Sequence, residues 1–133
     1  MHQQIFVNLP VKDLERSVNF FTQLGFTFNP QFTDANATMM NVGENIFVML
    51  MTEQFFSGFT NKGICDTSKV NESLITLGCA SKAQVDDLVA KARANGGQVL
   101  REAEDHGFMY SHDFLDLDGH GWGLAHMTGA TPS

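Results

Sequence analysis

Five histidines, two cysteines and two aspartates in one short turn are the residues of this 133-residue chain whose types could do chemistry. Four of the histidines, His106, His112, His120 and His126, crowd toward the C-terminal end. Imidazole is a first-choice zinc ligand, so this density raises a metal site as one reading. Surface or interface histidines explain the same residues and are the expectation here. Asp116 and Asp118 look like a carboxylate pair, yet Asp116-Leu117-Asp118-Gly119 is ordinary turn chemistry and is assigned no catalytic role. Cys65 and Cys79 are too few for a disulfide framework and read as two reduced, small apolar residues. No Ser–His–Asp order, glycine-rich phosphate loop or Cys–His pair stands out, and Gly119-His120-Gly121 reads as part of a hairpin.

Composition narrows the functions available. The chain is 43% hydrophobic and 17% charged, which suits a packed core and excludes a disordered tail. Eight Lys+Arg against fifteen Asp+Glu leave a net charge of −7, so neither nucleic acid nor an anionic membrane is an expected partner. A neutral or cationic small molecule fits that field better. No run of 18 apolar residues occurs, and the opening MHQQIFVNLP lacks the basic and long apolar regions of a signal peptide. A cytoplasmic protein is therefore expected.

The elements that must position any site repeat once along the chain. Gln4 to Leu9 reads as a strand stopped by Pro10. Leu14, Val18, Phe21 and Leu24 mark a helix with Asp13 as N-cap and Gly25 closing it. Phe26 to Phe32, Ala37 to Val42 and Ile46 to Met51 read as strands, with Gly43-Glu44-Asn45 turning between the last two. Residues 53–71 show no period and read as a long loop carrying Phe55, Phe56 and Phe59, a lid or an interface patch. Then Ser73 to Cys79 reads as a strand, and Ser81 with Gln84 forms a capping box. Val85, Leu88, Val89 and Ala92 stripe the helix that follows, which Gly96-Gly97 ends. Gln98 to Arg101, Met109 to Leu115 and Gly121 to Met127 are three further strands. The predicted fold is α+β: one domain spanning residues 1–133, built of two βαβββ modules at about residues 4–52 and 72–127. Each has a largely antiparallel mixed sheet with its helix on one face, and the two sheets face each other across a cleft.

Two segments resemble a known family. VNLPVKDLERSVNFFTQLGFTF and DFLDLDGHGWGL are similar to the diagnostic segments of the vicinal oxygen chelate superfamily. Glyoxalase I, extradiol dioxygenases, fosfomycin-inactivating enzymes and bleomycin resistance proteins belong to it. The resemblance covers nearly the whole chain and implies the doubled module, a ligand cleft and commonly a homodimer. It also implies four metal ligands, usually His or Gln, Glu, His and Glu, one on each of four strands. Aligned on the motifs, those positions fall on Phe6, Met49, Leu74 and Gly123. Slipping each strand by two residues gives Asn8, Met51, Thr76 and Ala125. Neither set suits a divalent ion, because zinc wants imidazole, thiolate or carboxylate and magnesium wants oxygen. No metal and no cofactor is expected.

The expected ligand-binding residues are therefore Phe6, Asn8, Phe47, Met49, Met51, Leu74, Thr76, Asp113 and Gly123. They would make a cleft for a small, largely apolar or cationic molecule, as in the bleomycin resistance proteins. A five-residue turn pairs Leu115 with Gly121 and sets Asp113 opposite Gly123. A four-residue turn puts His112 there instead, and the sequence leaves both registers open. With Gly123 on the cleft face, His120 and His126 lie on the other. Two other readings compete: a glyoxalase- or dioxygenase-type enzyme with displaced ligands, and a partner-binding module using the 53–71 loop.

Overall fold

The computed structural model describes residues 1–128. Their contacts divide the chain into two units, Met1–Cys65 and one that begins at Asp66.

In the first unit β1 (Ile5–Val11) leads into α1 (Leu14–Gln23). β2 (Thr27–Asn29), β3 (Ala37–Gly43) and β4 (Ile46–Thr52) follow, then a short helix α2 (Glu53–Ser57). The sheet order is β1-β4-β3-β2, with β1 parallel to β4 and the other pairs antiparallel. Asp13 caps α1 by accepting from the Arg16 amide at 3.1 Å. Gly25 holds φ at +101°, the left-handed conformation that ends the helix. The buried stripe of α1 is Ser17, Phe20, Phe21 and the capping Leu24, while Leu14 and Val18 are only half-buried. The expected face is thus turned by about one residue, because two adjacent phenylalanines dominate the packing. They lie on the same side of the sheet as Leu9, Val11, Met40, Val48 and Leu50, all nearly inaccessible.

The second unit repeats the plan with β5 (Leu74–Gly78), α3 (Lys82–Ala94), β6 (Glu104–Asp105), β7 (Met109–Leu115) and β8 (Gly121–Met127). Its order, β5-β8-β7-β6, and its parallel β5–β8 pair reproduce the first unit. Ser81 caps α3 by accepting from the Gln84 amide at 3.1 Å, and the Gln84 side chain reaches back to the Ala80 amide at 2.7 Å. Val85, Leu88, Val89 and Ala92 are buried with Phe114, Trp122 and Leu124. Among the described residues no helix is long and apolar enough to cross a membrane.

Four local expectations fail, each for a physical reason. β1 runs through Pro10 to Val11, because it is an edge strand and a proline nitrogen can face away from the ladder there. The strand after α1 stops at Asn29, whose side chain accepts from the Gln31 amide and starts a 3-10 turn over Pro30–Phe32. Residues 53–57 form a helix too short to show a period, capped by the Thr52 hydroxyl. Residues 98–101 are not a strand: only Gln98 bridges Leu115, and the edge strand is the fully charged Glu104–Asp105 pair, which carries no apolar alternation.

Candidate functional site

In each unit the helix covers one face of the sheet and a hollow opens on the other. Strand pairing determines what lines it. On the second sheet Leu115 pairs with Gly121 and Asp113 with Gly123, the register of the five-residue turn. Thr76 pairs with Gly123 from the other side, and Leu74 with Gly121. Two cross-strand rows result: Thr76–Gly123–Asp113 and Leu74–Gly121–Leu115. The central glycines let the flanking side chains lean over β8. A Cβ on Gly123 would lie 2.7 Å from Thr76 Oγ1, and one on Gly121 would lie 2.8 Å from Leu74 Cδ2. The hollow above these rows measures about 620 Å³. Its wall is mainly apolar, with Leu74, Leu100, Met109 and Leu115 contributing and Thr76 and Ser111 adding hydroxyls.

Among the described residues, Asp113 and Arg101 are the only fully charged ones that line it. They form an ion pair, Arg101 Nη2 to Asp113 Oδ2. His112, the next residue on β7, donates from Nε2 to the Arg101 carbonyl at 2.8 Å. The Asp113 carboxylate, by hydrogen bond and charge, pushes the Arg101 guanidinium pKa above its usual value.

The first sheet has a smaller hollow of about 510 Å³. Phe6 and Phe47 stack across it with centroids 5.2 Å apart. Asn8, Met49 and Met39 form the next row, and Gln4, Asn29 and Phe32 complete the wall. Met51 has the right parity but only 5% exposure and does not line this hollow. It shares a buried row with Pro10 and Ala37 at the end of the sheet, where α2 begins. Phe6, Asn8, Phe47 and Met49 are thus brought together in one unit, and Leu74, Thr76, Asp113 and Gly123 in the other.

The histidines are dispersed among unrelated partners. His106 Nε2 lies 3.0 Å from Glu104, and His126 Nδ1 lies 3.0 Å from the Cys79 carbonyl. His120 is not on the surface: it is 5% exposed, with Nδ1 3.6 Å from Glu72 Oε2. Asp116, also 5% exposed, accepts from the amides of Asp118 and His120 and from Trp122 Nε1. The turn carboxylate is therefore a buried hub rather than a solvated loop residue. Phe55 and Phe59 pack edge to face at 5.2 Å and remain 37% and 66% exposed.

Sequence reasoning missed Leu100, Arg101, Met109 and Ser111. Met109 and Ser111 share the alternation of Asp113 and Leu115 along β7 and were legible in that pattern. Arg101 leaves no local trace, because an irregular segment delivers it to the hollow.

The comparisons agree with this architecture. A family profile described as bleomycin resistance protein-like N-terminal matches residues 3–43. A hypothetical protein from S. aureus is 33% identical over 95% of each chain, with a TM-score of 0.79. A glyoxalase/bleomycin resistance protein/dioxygenase family enzyme from Burkholderia phytofirmans PsJN shares the fold at 16% identity, covering 92% of this chain and 96% of its own, with a TM-score of 0.75. The chain has the fold of the glyoxalase/bleomycin resistance proteins. A glyoxalase-related enzyme from Fulvimarina pelagi is 22% identical, covers all of this chain and 96% of its own, and superposes with a TM-score of 0.78. No curated protein matches this sequence.

The superfamily that the two sequence segments resemble implies a metal, and the residues present do not fit one. The four aligned positions carry an aromatic ring, a thioether, an isobutyl group and no side chain. At Gly123 a donor side chain would collide with Thr76. Among the described residues no group of three or more His, Cys, Asp or Glu is placed to hold a metal ion. A hard or borderline divalent cation finds no ligand set there.

Proposed function

We propose that this chain is a vicinal oxygen chelate protein that binds a small, largely apolar molecule on the open face of its second sheet, without a metal. The observation that carries the reading is the replacement of all four ligand positions by Phe6, Met49, Leu74 and Gly123, two in each hollow. The larger hollow, about 620 Å³, falls within the roughly 300–1,000 Å³ of small-molecule sites. Its lining is mostly hydrocarbon with a few hydroxyls and one ion pair, which favours burying an apolar body over gripping a polar one. Of the two ligand chemistries expected, the cationic one loses support, because Asp113 is already neutralised.

A thermal-shift screen tests this. A ligand at 100 times its Kd adds about 2.7 kcal/mol of stability. The shift is expected to survive EDTA and to vanish in Thr76→Trp, which fills the hollow from an exposed edge position. A shift that EDTA abolishes, or near-stoichiometric zinc, manganese or calcium in the purified protein, overturns the reading.

We further propose a homodimer. Ile5 and Ile46 pair in register across β1 and β4 yet remain 53% and 43% exposed, and an isologous twofold contact would cover both. Light scattering at micromolar concentration should return twice the 14.7 kDa chain mass; a monomeric mass refutes the dimer.

A further inference from the structure

The second hollow contains one full negative charge and one full positive charge, and their arrangement is unequal. Asp113 is 32% exposed at the side chain and faces Arg101; the Arg101 side chain is 68% exposed. An ammonium ligand approaching Asp113 must first evict the guanidinium. An oxyanion need evict nothing. A guanidinium has five N–H donors and a carboxylate engages two at most, so donors remain on the outer edge of Arg101.

Arg101 is also held in place. Two consecutive residues of β7 grip it from both ends, His112 at the main-chain carbonyl and Asp113 at the side chain. A side chain fixed in this way loses less freedom when a ligand docks than a free surface arginine does. Beside it lies the apolar wall of Leu74, Met109 and Leu115.

We propose that the ligand of this hollow is an amphipathic carboxylate. Its apolar body lies on the Leu74, Met109 and Leu115 wall, and its carboxylate takes the outward N–H groups of Arg101, leaving the guanidinium between two carboxylates. The inference rests on the reading that this hollow binds a small molecule, and it names the chemical class bound.

Three probes of equal length separate the two: octanoate, octylamine and octanol, titrated by calorimetry against the full chain and against Arg101→Gln. Octanoate is expected to bind at least about tenfold more tightly than octylamine. Arg101→Gln should remove that preference and leave octanol binding within about twofold, since the wall is untouched. Unchanged thermal stability of the variant would show that the fold persists, as the exposure of Arg101 leads one to expect. Octylamine binding as tightly as octanoate, or a carboxylate preference that survives Arg101→Gln, overturns the inference while octanol binding leaves the small-molecule reading standing. Failure of all three probes to bind overturns the inference together with the reading on which it rests.

Discussion

Replacing Trp122 by alanine is expected to destabilise the second unit by about 3–5 kcal/mol. Trp122 is the chain's only tryptophan, has no accessible surface and is the largest fully buried side chain. It lies on the helix side of β8 with Phe114, Leu124 and the buried stripe of α3. Removing the indole opens a cavity that a strand gripped by β5 and β7 cannot collapse to fill. It also strips Asp116 Oδ2 of its donor, Trp122 Nε1 at 3.0 Å. Small domains are stable by about 5–15 kcal/mol in total, so this one change removes a large share. Urea denaturation followed by far-ultraviolet circular dichroism measures it without relying on tryptophan fluorescence. Trp122→Phe, which keeps most of the volume and loses the hydrogen bond, should cost clearly less. A loss below about 1 kcal/mol for the alanine variant would contradict the packing described.

Asp116→Asn should cost about 1–3 kcal/mol under acidic conditions, and that cost should shrink as pH rises. Asp116 Oδ1 accepts two amides and Oδ2 accepts the indole N–H. An asparagine retains one oxygen for the two amides and turns an NH2 toward the indole donor. Burial pushes the Asp116 pKa above the ordinary carboxylate range, while the His120 charge and the hydrogen bonds from Trp122, Asp118 and His120 pull it down without cancelling that effect. The sign follows from linkage. Below the ordinary carboxylate range the group is protonated in both states. As pH rises, the unfolded chain releases its proton first, so the folded state holds more protons and stability falls through the window up to the raised value. Above it the full cost of a buried charge is present. The asparagine variant lacks this slope. Unfolding free energies of both proteins from about pH 4 to neutrality should therefore converge. Divergence with rising pH would refute the buried, charge-disfavouring environment assigned to Asp116.

The two predictions meet at one turn. Asp116 closes the β7–β8 connection, bonds the indole that anchors α3, and neighbours Leu115, whose pairing with Gly121 decides which β7 side chains face the hollow. A four-residue turn would have exchanged Asp113 for His112. The buried carboxylate thus stabilises the register that places Asp113 within reach of Arg101.

Much of this molecule is written in short-range chemistry. The Asp13 and Ser81 caps, the helix stops at Gly25 and Gly96, the Val85–Leu88–Val89–Ala92 stripe and the doubled element order all act within a few residues of chain. The apolar or glycine identity of Phe6, Met49, Leu74 and Gly123 is likewise plain from the letters alone once the motifs align. Tertiary structure alone decided the remainder. It chose between Asp113 and His112, brought Arg101 to Asp113 through an irregular segment, buried Met51 at the end of its sheet, and sank His120 beside Glu72. These outcomes depend on which strands pair and which surfaces cover one another. No capping rule or hydrophobic period reaches that far along a chain, so the local pattern describes the elements and only their packing assigns charge to the hollow.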